Sequence, residues 1–312
     1  MLSRTGATAP PFRIPSMPLR ALTHADCLLH QRSGPADGVP VLYLPGVHGC
    51  WTPLERARPL FSPATQLVEA AYPLFDHWSL ARYADALEHL LERLGLDSVH
   101  LVGESFGSLV AWQFGLTRAR RVRSHFLVGG FCQAPRLRVA ASAGMGLSVV
   151  WSPAFDAIVD GYTLWKGMRG EAREAAPGVK AYPAVRGARG QRATANRMRL
   201  VQAADFRRHL HDVRYPVRYL GGAADRVVPV GREVATLERL LPPDAGFQSE
   251  LLARAPHAII ASHPAETVAR IERWVEALER PDDLAISRPP PPDDATLAPA
   301  SAGTRLQNGL GS

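Results

Sequence analysis

The chain is 312 residues long, 46% hydrophobic and 21% charged, with a formal net charge of +7. That composition fits a globular protein with a large core and excludes a wholly disordered chain, a collagen and an integral membrane protein, because no apolar stretch approaches the roughly 20 residues that span a bilayer. Three widely spaced cysteines, Cys27, Cys50 and Cys132, fit neither a disulfide framework nor a zinc site and point to a reducing, cytoplasmic compartment.

Residues 1–20 carry four prolines, lack an apolar leader core, and read as an irregular arm. A short strand or two is expected between Ala21 and Arg32, before the turn cluster Gly34-Pro35-Ala36-Asp37-Gly38. Val39 to Leu44 is apolar throughout, as a strand covered on both faces should be. A second apolar run, Gln66 to Ala71, stops at Tyr72-Pro73. From Ser79 to Leu94 the spacing is helical, with Leu80, Tyr83, Leu87, Leu90, Leu91 and Leu94 along one side and Gly95 as the C-terminal cap. Ser98 to Val102 then reads as a strand, Ser105 to Leu116 as a helix, and His125 to Gly129 as a strand. Short apolar runs alternating with amphipathic helices describe an α/β fold: a mostly parallel sheet with helices on both faces.

The alternation lapses over residues 133–206, where scattered aromatics (Trp151, Phe155, Tyr162, Trp165, Tyr182) and a basic excess suggest an inserted helical cap. It resumes with Val217 to Leu220, a helix near Gly231 to Leu241, a strand near Gln248 to Leu252 and a helix from Pro264 to Leu278. The core is therefore expected over 21–132 and 207–280. Residues 281–312, with four successive prolines from Pro289 to Pro292, read as a disordered tail.

Gly103-Glu104-Ser105-Phe106-Gly107 falls where a strand meets a helix, the context of a nucleophile elbow. There a strained turn raises the serine Oγ above the sheet, and the flanking glycines let strand and helix approach. A serine attacks only when a base takes its proton, and the base needs an acid to hold its tautomer. Asp225 lies just beyond the Val217–Leu220 strand, and His257 follows the Gln248–Leu252 strand. Both occupy strand-end loops, in the order serine, acid, histidine. His263, six residues further on, precedes Pro264 and reads as helix-entry or capping chemistry. Two backbone donors are expected for a developing oxyanion: the N–H of Phe106, after the nucleophile, and the N–H of Val47, where Gly46 and Gly49 allow close approach.

With these motifs the chain resembles the α/β-hydrolase superfamily, in its serine-hydrolase branch, over about residues 39–131 and 215–280. The resemblance implies an esterase- or thioesterase-like enzyme with Ser105, Asp225 and His257 as catalytic triad. Many relatives carry His-Gly where this chain has Pro45-Gly46, and glycine where it has Pro256, so the anchor of the oxyanion loop is left open. Serine at the nucleophile position sets the chain apart from haloalkane dehalogenases and epoxide hydrolases, which need a carboxylate there. A narrower likeness, to maspardin, covers Tyr72 to Trp78 and Leu94 to Leu101 and implies an alternative: a binding protein on a hydrolase fold.

Eleven Lys or Arg against three acidic residues between 166 and 208 account for the positive charge. The segment reads either as a solvated face or as a guide for an anionic or carrier-bound acyl substrate or an anionic membrane surface. No nucleic-acid motif accompanies it. His209 and His211, two apart, do not share a helical face, so no metal site is expected, and no cofactor either. Cys50 reads as a small buried hydrophobe, with pocket lining as the alternative.

Overall fold

A computed structural model describes residues 27–133 and 187–280. The apolar runs become strands β1 (Leu29–Ser33), β2 (Val39–Leu44), β3 (Thr65–Ala71), β4 (Val99–Glu104), β5 (Val122–Val128), β6 (Val217–Gly222) and β7 (Gln248–Leu252). They form one sheet in the order β1-β3-β2-β4-β5-β6-β7. Only β1 runs antiparallel to its neighbour β3. Helices α1 (Leu80–Leu94), α2 (Phe106–Thr117), α3 (Gly187–Ala203), α4 (Val230–Leu240), α5 (Ile259–Ser262) and α6 (Pro264–Leu278) join them, with short 3₁₀ turns between. No helix among the described residues is long and apolar enough to cross a membrane.

Side chains of a strand alternate between faces, so a strand apolar at every position feeds two layers. Leu42, Leu44, Leu101 and Leu127 join an apolar layer with α1 and α2. Val41, Tyr43, Val102, Phe126 and Val128 join the opposite layer with α6, where Phe126 and Trp274 stack at 5.9 Å. Each large side chain removed from water contributes about 1.5–3 kcal/mol. Helix α2 is buried on almost every side, which explains its lack of a polar stripe. Helix α1 starts at Ser79, whose hydroxyl accepts the Arg82 N–H, and stops at Gly95 in the left-handed region (φ 65°).

Strand ends differ from the sequence reading in an instructive way. β4 runs through Glu104 and β5 begins at Val122, because Val99 pairs with Val122 and Glu104 with Val128. Arg123 and Ser124 hide that start in the sequence, yet both are used: Arg123 pairs with Glu279, and the Ser124 hydroxyl meets buried His100 at 2.7 Å. Ladder pairing, rather than apolarity residue by residue, sets the limits. Of the strand or two expected between Ala21 and Arg32, the described residues hold β1; residues 21–26 lie outside them. The arm at 1–20, the cap over 134–186 with its aromatics, and the tail at 281–312 lie outside the described residues. Of the expected cap, the described part is led by α3.

The order of the strands locates the site. From β2 the chain moves outward to β3, then returns to the other side of β2 to form β4. The loops leaving β2 and β4 therefore diverge, opening a crevice at the carboxyl ends of the two strands.

Candidate active site

Ser105 stands at the top of β4 with φ 50° and ψ −115°, a left-handed conformation rare for a residue with a side chain. The turn persists because its surroundings leave no alternative. A Cβ on Gly107 would lie 2.0 Å from the Leu44 carbonyl oxygen, and one on Gly103 would lie 2.8 Å from the Ser108 backbone. Both glycines are thus required where strand, helix and the β2 loop converge. The Ser105 N–H donates to Val128 at 3.2 Å, and the Ser108 hydroxyl donates to the Ser105 carbonyl at 2.6 Å.

The two other strand-end loops are tied to each other. Ala224 N–H donates to the Ala255 carbonyl at 3.0 Å, and Ala223 N–H to Leu252 at 2.9 Å. A Cβ on Gly222 would strike the Ala255 carbonyl oxygen at 2.3 Å, so that approach also needs glycine. These bonds bring Asp225 and His257 together. His257 Nδ1 is 2.8 Å from Asp225 Oδ2, and Nε2 is 2.9 Å from Ser105 Oγ. The other Asp225 oxygen accepts the N–H groups of Val227 and Val228 at 2.7 and 2.9 Å. Burial pushes the Asp225 carboxyl up, but its bond to His257, the charge there and the two N–H donors outweigh burial and hold it below its ordinary value. The side chain is fully buried, while that of His257 is 23% exposed toward the crevice.

The expected oxyanion donors flank the same serine. Phe106 is the first residue of α2, so its N–H has no acceptor within the helix. Val47 lies in the turn closed by the Gly49 N–H to Gly46 bond, and its N–H has no acceptor among the described residues. A Cβ on Gly46 would come within 3.5 Å of the Ser105 Cβ, so this loop lies directly beside that serine. A cavity of about 270 Å³ opens here. Its walls are mainly apolar, from Val47, Pro53, Phe131, Met198, Val201, Val227 and Ala258, with His48, Glu104, Ser105 and His257 as its polar groups.

His263 sits at the first position before α6, but its ring caps nothing: Nδ1 meets the Ser262 hydroxyl at 2.9 Å instead. His209 and His211 are exposed, and no metal-binding group of His, Cys, Asp or Glu occurs among the described residues. Cys50 is fully buried beside His48, with Sγ 3.8 Å from Nδ1 and 3.4 Å from the Thr52 hydroxyl.

Three features were not visible in the sequence. Glu104, inside the elbow, accepts a hydrogen bond from the Tyr43 hydroxyl and faces His48 Nε2 at 3.6 Å. Burial alone would lower the His48 pKa, yet the neighbouring Cys50 and Glu104 raise it above the ordinary value. Tyr72, read only as the end of an apolar run, donates to the Pro45 carbonyl at 3.1 Å. Arg197, one of many arginines in a basic stretch, is fully buried and donates to the Val47 carbonyl at 2.7 Å. The loop with Pro45 in place of histidine is thus held by side chains from β3's end and from α3. The spacing of Ala193, Arg197 and Val201 along one helical face is the signal that could have found Arg197.

Over residues 9–271 the sequence matches the alpha/beta hydrolase family. The chain belongs to that family. Among its relatives, maspardin of Danio rerio is 31% identical over 90 residues, 28% of each protein. The 2-hydroxy-6-oxo-2,4-heptadienoate hydrolase of Pseudomonas putida is 27% identical over 174 residues, covering 54% of this chain and 60% of the relative. The chain therefore spans less than two thirds of the length of either curated relative. The solved structure of a thermophilic esterase from Thermogutta terrifontis superimposes with a TM-score of 0.66 at 18% identity, over 81% of this chain and 94% of that one. At that identity the likeness speaks for the alpha/beta hydrolase fold alone.

Proposed function

We propose that this alpha/beta hydrolase is a serine hydrolase that cleaves a carboxylic ester or related acyl bond through an acyl-enzyme. The observation that carries this reading is the continuous hydrogen-bonded chain from Asp225 through His257 to Ser105, at 2.8 and 2.9 Å. In the first step His257 Nε2 takes the Ser105 proton as Oγ attacks the acyl carbonyl carbon. The carbonyl oxygen becomes negative and is held by the N–H groups of Val47 and Phe106. His257, kept in the right tautomer by the Asp225 carboxylate, passes its proton to the leaving group as the tetrahedral centre collapses. Water, giving a proton to the same imidazole, then attacks the acyl carbon; as the bond to Oγ breaks, the imidazolium passes that proton to Ser105 and the acid leaves. The apolar walls of the cavity suit an uncharged acyl chain.

The 31% identity to maspardin favours a second reading, a binding protein on the same fold with little turnover. A fluorophosphonate probe separates the two. Labelling of the wild type that disappears in Ser105→Ala and His257→Ala is expected; an unlabelled wild type would favour the binding protein. The basic residues supply a further part of the proposal, steering of anionic acyl substrates. A steep fall of kcat/KM with salt for anionic but not neutral esters is its expected mark.

A further inference from the structure

We infer that Arg197 is a positioning residue that fixes the oxyanion loop and couples it to the seat of helix α3, an inference that rests on the serine-hydrolase reading above. The loop from Pro45 to Gly49 is held through its carbonyls. The Pro45 carbonyl accepts the Tyr72 hydroxyl at 3.1 Å, Gly46 accepts the Gly49 N–H at 2.9 Å, Val47 accepts Arg197 Nε at 2.7 Å, and Gly49 accepts the Tyr72 N–H at 2.8 Å. Because each peptide is planar and trans, fixing a carbonyl fixes the plane of its peptide and the direction of the N–H in it. The Gly46 bond orients the peptide that carries the Val47 N–H. The Arg197 bond orients the next one, so two successive planes are pinned and the turn cannot swing that N–H away from Ser105.

Arg197 has little other reason to be where it is. It is fully buried, and its Nη1 has no hydrogen-bond partner among the described residues. Its Nη2 reaches Thr194 on its own helix at 3.3 Å, the guanidinium also meets the Tyr83 hydroxyl, and no carboxylate among the described residues pairs with it. Burying a guanidinium without a counter-ion is costly, so a site that keeps one draws on its charge. Here the guanidinium packs on Gly49, where a Cβ would lie 3.0 Å from Cζ, and faces the Tyr72 ring at 5.9 Å. Gly49 has φ 78°, a second reason for glycine at that point. The positive charge behind the loop favours a negative oxygen in front of it.

The same helix reaches the cavity. Met198, the next residue, and Val201, one turn on, line its wall, and Asn196 is anchored to the Trp78 carbonyl at 2.9 Å. Seating α3 against the core therefore closes the apolar wall and aligns the oxyanion donor in one movement. The neighbouring exposed arginines, Arg189, Arg192 and Arg199, have no such contact with the loop.

Fluorophosphonate labelling tests this, since phosphonylation of Ser105 also builds negative charge on an oxygen and needs no known substrate. In full-length Arg197→Ala the maximal labelling rate should fall about ten- to a hundredfold, with the probe concentration at half-maximal rate and the final extent of labelling unchanged. Arg197→Lys, which keeps the charge but not the fork, should fall between, and it decides the matter if the alanine variant does not accumulate. Arg192→Gln should label at the wild-type rate. A trifluoromethyl ketone inhibitor should weaken by the same factor as labelling slows. A lower melting temperature in both Arg197 variants with labelling within twofold of wild type would overturn the inference and leave a purely structural arginine. Wild-type-like labelling in Ser105→Ala would instead sink the serine-hydrolase reading itself.

Discussion

Ser105, Asp225 and His257 each stand on a loop that leaves the carboxyl end of a strand, and backbone bonds draw those loops together: Ser105 to Val128, Ala223 to Leu252 and Ala224 to Ala255. The loop after β2 is held differently. Besides the backbone bonds from the Gly49 N–H to Gly46 and from the Tyr72 N–H to Gly49, it depends on the Tyr72 hydroxyl and the Arg197 guanidinium, two side chains from elsewhere in the chain. A geometry set by the sheet ladder survives surface change, because its restraints are distributed over many peptides. One set by two long side chains can be loosened by a single substitution and can be tied to the position of a helix. The hydrogen-bonded chain Asp225–His257–Ser105 is thus built onto the sheet, while the loop after β2 is adjustable.

The largest effect should come from the sheet-built half. Ser105→Ala or His257→Ala should lower turnover of a responsive ester by about 10⁴-fold or more, with Asp225→Asn close behind because the wrong tautomer is then favoured. An active Asp225→Asn enzyme would break the comparison, showing that the strand-end acid is dispensable.

Two imidazoles extend the contrast. His257 is bonded at both ring nitrogens, whereas His125, within β5, is fully buried with neither nitrogen partnered among the described residues and packs edge-on against Trp112 at 4.5 Å. Burial pushes the His125 imidazole down to about 3. It stays neutral in the fold while the unfolded chain takes a proton below about pH 6.5, so its contribution is complete above that value and drains away as pH falls toward 3. The loss should be on the order of 4 kcal/mol, read as urea midpoints across that window. In His125→Leu the acid limb should flatten; an unchanged limb would assign it to other groups.

Gly107→Ala attacks the junction of the two halves, where the added carbon would meet the Leu44 carbonyl oxygen at 2.0 Å. A stability loss of about 3 kcal/mol by urea unfolding is expected, since backbone cannot yield as a flexible side chain does. Smaller, and confined to the adjustable half, Tyr72→Phe leaves the buried Pro45 carbonyl without its donor. It should cost about 1–2 kcal/mol of stability and slow fluorophosphonate labelling several-fold. Arg254→Gly should be the mildest change and the one with a favourable sign. Arg254 holds φ 60° in the loop leading to His257, and glycine there should raise stability by about 0.5–1 kcal/mol without altering labelling.

Much of this was legible in residue order. The apolar run Val39–Leu44 became β2 with the same limits, and the helix Pro264–Leu278 likewise, because period and punctuation were strong there. The glycines around Ser105 and the two strand-end polar residues, Asp225 and His257, could be singled out because such loops carry local backbone signals. The start of β5 at Val122 was hidden, since Arg123 and Ser124 look exposed until their partners Glu279 and His100 are known. Arg197 escaped notice for the same reason: a charged residue in a basic stretch reads as solvated, and only a neighbour far away in the chain makes it a buried one.

Residue order by itself determined the alternation of strands and helices, the strained turn at Ser105, and the placing of Asp225 and His257 on strand-end loops, since hydrophobic period, glycine placement and turn chemistry act over a few residues. Tertiary structure alone decided which side chains hold the loop with Pro45, which of the arginines lost its water, and which polar groups inside the core found partners. Those outcomes depend on contacts between segments tens to more than a hundred residues apart, and the energy of a buried charge or an unmade hydrogen bond is set by neighbours that no local pattern names.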